Sequence, residues 1–154
     1  TDLSAIIRDL AELYEPAAEE AGARLVTDVE GELHLHANRE LLGQVVVNLI
    51  ENALKYAIRT ERKKVKPDSF VRISARSSGD EIVVEVADNG PGIPEADRGR
   101  AVERFVRLEK SRTEPGSGLG LALVSAVARL HKGTFKLEDN APGVRAVLSL
   151  PRHP

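Results

Sequence analysis

Apolar residues recur at helical spacing in three segments of the chain. The first, residues 3–17, predicts an amphipathic helix that Pro16 should end or kink, because proline cannot donate to the helical hydrogen-bond ladder. In the second segment the apolar face spans residues 41–53, and Asn38 stands where it can cap the helix. The third segment predicts a helix over residues 119–131.

Other segments alternate apolar with polar residues, which is typical of half-buried strands. Ser78, Gly79 and Asp80 separate two of them and favour a hairpin, and the last two strands are predicted to form a second hairpin. The predicted strands are residues 24–29, 33–37, 70–76, 81–87, 133–138 and 144–150. Helices thus alternate with hairpins, which predicts one α+β domain over residues 1–154. We expect a two-layer α/β sandwich in which helices cover one face of a mixed, mostly antiparallel sheet.

Composition narrows the classes of function without selecting one. The 154 residues carry a formal net charge of -2, so electrostatics gives no reason to expect nucleic acid or membrane as a partner. Cysteine is absent, which excludes disulfides, thiolate zinc sites and cysteine nucleophiles and suits a reducing cytoplasm. No apolar run approaches the roughly 20 residues of a membrane span. These features predict a cytoplasmic, monomeric fragment.

The first candidate site lies on the second predicted helix. Asn48, Asn52, Lys55 and Tyr56 fall on one arc about 100° wide, beside the apolar face. Asparagine is a modest helix former, so two of them one turn apart beside a lysine suggest that the amides bind a ligand. An amide oxygen is a hard ligand suited to Mg²⁺ already carried by phosphates. Polar boundary residues on a buried helix would give the same pattern.

The second candidate site follows a predicted strand. Gly90 and Gly92 would let the backbone approach a flat ligand without Cβ collisions. Asp88, at the end of the strand, can accept a hydrogen bond from an amine such as that of adenine. Clusters of Gly, Pro and Asn also form ordinary turns, so this motif alone leaves both interpretations open.

Two further clusters lie between residues 103 and 121. Gly116, Gly118 and Gly120 lead into the third helix, where free N–H groups and the helix dipole favour an anion. Upstream, Arg107 and Arg112 can bind phosphate oxygens bidentately. A flexible helix entry and solvated surface charge are the alternatives.

In order and spacing, the four clusters resemble the N, G1, F and G2 boxes of the catalytic ATP-binding domain of sensor histidine kinases. That domain belongs to the GHKL superfamily, which includes gyrase, the Hsp90 chaperones and MutL. The resemblance covers nearly the whole chain. It implies the Bergerat ATP-binding fold, with ATP and Mg²⁺ as cofactors and a lid over about residues 92–118.

The resemblance also implies a role for each matching residue. Asn52 resembles the Mg²⁺ ligand, while Asn48 and Lys55 resemble phosphate-side contacts and Tyr56 a packing surface near adenine. Asp88 resembles the residue that binds the adenine amine. The implied ATP-binding set is completed by Gly90, Gly92, Ile93, Phe105, Arg107, Arg112, Gly116, Gly118, Leu119, Gly120 and Leu121. The implied catalytic residues are Asn48, Lys55, Arg107 and Arg112.

Asn48 separates kinase from ATPase within this superfamily, because hydrolysing relatives place a glutamate there to activate water. The resemblance therefore implies transfer of the γ-phosphoryl group to a histidine. No histidine of this chain is followed by the acidic residue and proline of the family's acceptor helix. We expect structural roles for all four of these histidines.

The implied partners are a dimerisation and phosphoacceptor domain N-terminal to Thr1 and, indirectly, a response regulator. The parent is expected to be a sensor kinase, and the sequence leaves open whether it is anchored in the inner membrane. Val106 replaces a common aromatic residue of the F box. That departure favours the alternative, a nucleotide-binding regulatory module that docks to partners without transferring phosphate.

Overall fold

The computed structural model describes residues 1–57, 69–89, 119–139 and 144–153. Within these ranges the chain forms three helices and five strands. The helices are α1 (Leu3–Glu20), α2 (Arg39–Ala57) and α3 (Leu119–Leu130). The strands are β1 (Arg24–Val29), β2 (Phe70–Ser78), β3 (Glu81–Asp88), β4 (Thr134–Asp139) and β5 (Val144–Pro151).

The five strands form one sheet in the order β1-β2-β3-β5-β4. β1 and β2 pair in parallel, and the other three pairings are antiparallel. The predicted mixed, mostly antiparallel sheet is therefore confirmed, as are both predicted hairpins. The parallel pair has α2 as its connection, a crossover that the hairpin pattern did not predict.

Burial alternates along the strands and shows which face of the sheet the helices cover. On β2, Val71, Ile73 and Ala75 are buried, whereas Arg72 and Arg76 are exposed. The helices pack on the buried side, with α1 against β1, α2 against β2 and β3, and α3 against β4 and β5. This two-layer arrangement confirms the predicted α/β sandwich.

Asn38 caps α2 as predicted. Its Oδ1 accepts a hydrogen bond of 3.1 Å from the amide of Leu41, and its carbonyl accepts one of 3.0 Å from the amide of Leu42. These bonds satisfy amides that have no partner inside the helix. The cap fixes where α2 begins and hence which of its residues face the sheet.

The predicted strand over residues 33–37 is wrong. Its alternation is real, since Leu33 and Leu35 are buried and His34 is exposed. However, its backbone bonds go to residues 1–3 and to Arg152, and its only strand-type pairing is a single bridge between Asp2 and His34. The segment closes one end of the core, but it gains no ladder of strand pairs.

Of the two outcomes predicted for Pro16, the end of the helix does not occur, because α1 continues to Glu20. Proline at this position removes the hydrogen bond to the carbonyl of Glu12. Both residues are exposed, so water can satisfy that carbonyl on the solvent side of the helix. The buried side chains of Leu3, Ile7 and Ala18 hold the two halves of the helix against the core.

The end of α3 yields a prediction about stability. Lys132 has a φ of 59°, the left-handed conformation that glycine adopts without strain. We expect Lys132→Gly to raise the free energy of unfolding by up to about 1 kcal/mol, measured by urea denaturation. Lys132→Ala is the matched control, because it removes the same charge but keeps the strain. Equal stabilisation by both substitutions would mean that the backbone conformation is not the cause.

Candidate functional site

Two half-buried asparagines of α2 define the first part of the site. The side-chain Nδ2 of Asn52 donates a hydrogen bond of 2.9 Å to the backbone carbonyl of Asn48, one turn earlier. A carbonyl can only accept, so this bond fixes which end of the Asn52 amide is the nitrogen. The carbonyl oxygen Oδ1 of Asn52 is thereby left for an external ligand.

The rotation of α2 follows from its apolar residues. Leu49, Ile50 and Ala53 are buried in the core between the helices and the sheet. Asn48 and Asn52 adjoin these residues in the helix and are only partly buried. They therefore lie at the edge of the core, beside the apolar face of the helix, as the sequence predicted. A ligand can reach them there, while the neighbouring core residues exclude water from one side of the asparagines.

Asp88 supplies the second part of the site, at the end of β3. Its side chain has the same orientation along the strand as those of Val84 and Val86, which places it on the helix-covered face. Asp88 is only 3% exposed, and its Oδ1 accepts a hydrogen bond of 3.3 Å from the amide of Val144. A buried carboxylate held by a neighbouring strand is a fixed acceptor and not a freely rotating surface charge.

Asn89 contributes to this end of the sheet, a role that the sequence analysis missed. Its side-chain Oδ1 accepts a hydrogen bond of 2.9 Å from the amide of Phe70, the first residue of β2. The bond ties the chain that leaves β3 to the neighbouring strand. The detectable signal was the residue type, because asparagine side chains often bond to backbone amides at the ends of elements.

The third part of the site is the start of α3. Leu121 is 3% exposed, and Val124, Val127 and Ala128 are also buried. α3 packs against α2, and α2 in turn packs against β3. The structure therefore brings together α2, which carries the asparagines, β3, which ends at Asp88, and α3, into which the glycine cluster leads. α2 lies in the middle of these three elements.

α1 packs against α2 next to Asn52. The hydroxyl of Tyr14 donates a hydrogen bond of 2.9 Å to Oε1 of Glu51, the residue before Asn52. Partial burial, then this hydrogen bond and the charge of Glu51, raise the pKa of Tyr14 above its ordinary value. The hydroxyl therefore stays protonated as a donor. Glu51 is exposed, and this bond makes it a partner of α1.

Several predicted site residues lie outside the described ranges, and their roles stay predictions. These are Gly90, Gly92, Ile93, Phe105, Arg107, Arg112, Gly116 and Gly118. The same holds for the lid over about residues 92–118 and for two other segments, where the sequence predicts a polar loop over 59–66 and a short helix over 101–105. Lys55, Tyr56, Leu119 and Gly120 lie in α2 and α3, where only their backbone is described.

Among the described residues, no group of three or more His, Asp or Glu side chains could hold a metal ion. A cation at this site would therefore depend on the amide oxygen of Asn52 and on oxygens that its ligand brings. That donor set suits Mg²⁺, which keeps several waters and is commonly held by few protein atoms plus phosphates. None of the helices in the described part of the chain is long and apolar enough to cross a membrane.

A pocket of about 530 Å³ lies on the opposite face of the sheet, where the exposed side chains of β2 project. It is lined by Asp28, Glu30, Phe70, Arg72, Ser74, Ala75, Arg76, Glu85, Ala87 and Arg145. Its charges largely neutralise one another, as in the pair of Arg76 Nη2 and Glu85 Oε1, 3.7 Å apart. None of the predicted nucleotide residues lines it, so it is not the site built by α2, β3 and α3.

Sequence comparison identifies a family for this arrangement. The profile described as "Histidine kinase-, DNA gyrase B-, and HSP90-like ATPase" matches residues 37–154. SenX3 of Mycobacterium tuberculosis, a sensor-like histidine kinase, is 34% identical over 151 residues. The match covers 97% of this chain and 35% of SenX3, so the chain spans about a third of this curated relative's length.

Solved structures agree with this assignment. The catalytic domain of the histidine kinase ThkA superimposes with a TM-score of 0.80 at 24% identity, over 100% of this chain and 98% of that one. The ATP-binding domain of PrrB from Mycobacterium tuberculosis superimposes with a TM-score of 0.72 at 29% identity, over 99% of this chain and 95% of that one. The chain therefore belongs to the histidine kinase-, DNA gyrase B- and HSP90-like ATPase family, as the ATPase-type domain of a sensor histidine kinase.

Proposed function

We propose that this domain binds Mg-ATP between α2, the end of β3 and the start of α3, and donates the γ-phosphoryl group to a histidine outside this sequence. The observation that carries the proposal is the orientation of Asn52. Its amide nitrogen is engaged by the carbonyl of Asn48, so its oxygen is presented at the edge of the core. An oriented neutral oxygen suits a Mg²⁺ ion already carried by phosphates, because that ion keeps several waters and needs few protein ligands.

The other described residues have complementary roles in this proposal. The buried carboxylate of Asp88 accepts a hydrogen bond from the exocyclic amine of adenine, which provides selection for the base. The bond from Asn89 to β2 holds the backbone next to this carboxylate. Asn52 would hold the Mg²⁺, which would supply positive charge against the negative charge that develops as the phosphoryl group is transferred. Catalysis then depends on positioning and charge, to which Lys55, Arg107 and Arg112 contribute.

The amide side chain of Asn48 favours phosphoryl transfer to a protein acceptor over hydrolysis of ATP. Its side chain is an amide, which cannot act as a general base at neutral pH. Glu51 does not take over that role in this proposal, because its carboxylate points to Tyr14 on α1. No residue of the described site is thus placed to activate water, and the nucleophile has to arrive from outside.

The histidines of this chain are not the proposed acceptor. His131 is 6% exposed, and its Nδ1 lies 2.9 Å from the carbonyl of Val127. His34 is close to Glu32, and neither His34, His36 nor His153 lies in a helix. We therefore place the acceptor on a dimerisation domain preceding Thr1, with a response regulator as the next recipient. In this proposal residues 1–154 form one cytoplasmic domain, with a lid over 92–118.

Nucleotide binding without turnover is the direct expectation for this chain alone. Calorimetric titration should show saturable binding of Mg-ATP, because the site retains the groups for metal and adenine. A phosphate-release assay under the same conditions should show negligible steady hydrolysis, since Asn48 cannot act as a general base and the carboxylate of Glu51 is bonded to Tyr14. Brisk turnover would contradict the kinase assignment, and the absence of any nucleotide binding would contradict the site itself.

One alternative function is a regulatory module that binds nucleotide and docks to partners without transferring phosphate. The feature in its favour is Val106, where the family often has an aromatic residue in the F box. Both proposals predict nucleotide binding. Only phosphoryl transfer to a histidine distinguishes them.

A further inference from the structure

Two exposed histidines meet at the end of the domain where the chain leaves β5. The ring centres of His36 and His153 are 5.0 Å apart, and the ring planes are inclined by 44°. His36 precedes the cap of α2, whereas His153 follows β5, so the pair joins segments distant in sequence. Neither ring belongs to the proposed nucleotide site.

Backbone hydrogen bonds hold both segments in place. The amide of His36 donates to the carbonyl of Arg152 at 2.9 Å, and the amide of Arg152 donates to the carbonyl of Asp80 at 2.9 Å. On the other side, the amide of Leu35 donates to the carbonyl of Thr1 at 3.1 Å. The residues on both sides of the contact are thus fixed by the fold, which limits how far the two rings can separate.

From this geometry we propose that His36 and His153 form a binding site for a divalent transition-metal ion, with Zn²⁺ as the reference ion. Neutral imidazole is the preferred ligand of Zn²⁺, Cu²⁺ and Ni²⁺. A metal about 2.0–2.1 Å from one nitrogen of each ring, at a tetrahedral angle, sets the ring centres roughly 5 Å apart. The observed 5.0 Å matches this separation.

The remaining coordination positions belong to water. No group of three or more His, Asp or Glu side chains that could hold a metal is found in the described ranges, so the two imidazoles are the protein ligands. A site with two protein ligands and open positions binds less tightly than a closed structural zinc site. Binding would join the segment before α2 to the segment after β5 and stabilise the folded domain.

His34 is the matched control for this proposal. It is exposed and two residues from His36, but its Nε2 lies 3.4 Å from Oε2 of Glu32 and it has no ring contact with His153. His34→Ala therefore removes a nearby exposed imidazole without touching the pair. The comparison separates a site from the general affinity of surface histidines for metal.

The test is titration of the tag-free chain with Zn²⁺ near neutral pH, followed by calorimetry and by thermal unfolding. We expect saturable binding with one Zn²⁺ per chain and an increase in Tm with added Zn²⁺. His36→Ala and His153→Ala should each abolish both effects, and His34→Ala should retain them.

Three results would overturn the proposal. One is the absence of saturable Zn²⁺ binding to the unsubstituted chain. Another is unchanged binding in His36→Ala or His153→Ala, and the third is an equal loss in His34→Ala. None of these readouts involves ATP, so they do not depend on the proposed kinase function.

Discussion

Asn52→Ala is expected to remove the Mg²⁺-dependent part of ATP binding and to slow phosphoryl transfer by about 10²–10³-fold. Asn52 presents its side-chain oxygen at the edge of the core, with its nitrogen held by the carbonyl of Asn48. Alanine removes that oxygen and leaves no other described side chain to replace it. Calorimetric titration with ATP in the presence and absence of Mg²⁺ measures the metal-dependent part.

The matched control is Gln44→Ala, which removes an exposed amide from the same helix, two turns earlier. It should leave affinity and transfer unchanged. Both variants should unfold with free energies close to that of the unsubstituted chain, because neither side chain is part of the buried core. If Asn52→Ala keeps its full response to Mg²⁺, the assignment of this residue as the metal ligand is wrong.

Asp88→Asn is expected to weaken ATP binding by roughly 10–150-fold, the equivalent of about 1.5–3 kcal/mol for a hydrogen bond to a charged group. The amide oxygen of asparagine can still accept from the amide of Val144, which donates to Oδ1 in the native protein. In the proposed complex with ATP, the other position becomes an NH₂ group, which opposes the adenine amine as donor against donor. The shape is kept while the acceptor is lost.

Inosine triphosphate provides the internal control for this variant, because it has a carbonyl in place of the adenine amine. The unsubstituted chain should bind ATP more tightly than inosine triphosphate. Asp88→Asn should lose or reverse that preference, since its NH₂ group can donate to the carbonyl. An undiminished preference for ATP in Asp88→Asn would show that the carboxylate of Asp88 does not bind the adenine amine.

Much of the fold could be predicted because the residues that decide it act locally. The alternation of Val71, Ile73 and Ala75 with exposed neighbours sets both the strand and its buried face. Asn38 marks the start of α2 through a bond to an amide three residues away. In the first case the deciding feature is a repeat of apolar residues, and in the second it is a bond within one helical turn. Both can therefore be recognised in the sequence.

The errors occurred where a distant contact decides the structure. Residues 33–37 have a strand-like pattern, but strand formation requires a ladder of paired residues, and the one strand-type pair that this segment forms is the bridge between Asp2 and His34. Pro16 is tolerated because it falls on the exposed side of α1, which depends on how the helix packs. Neither fact is encoded within the segment itself.

The same distinction applies to the candidate site. Asn48, Asn52 and Asp88 could be selected from residue type and spacing, and the structure puts their elements in contact. The hydrogen bonds that support these residues could not be predicted from the sequence. Asn89 accepts from Phe70, nineteen residues away, and Tyr14 donates to Glu51, thirty-seven residues away. These pairings depend on the sheet order and on the packing of α1 against α2.

The central claim is that this domain donates a phosphoryl group to a histidine that it does not contain. The most direct measurement mixes the chain with the phosphoacceptor domain of its parent kinase, Mg²⁺ and γ-labelled ATP, and follows label on that domain. We predict acid-labile, base-stable label on one acceptor histidine, absent when that histidine is replaced and greatly slowed by Asn52→Ala. ATP binding with no label on the acceptor domain would contradict the claim and favour a regulatory module.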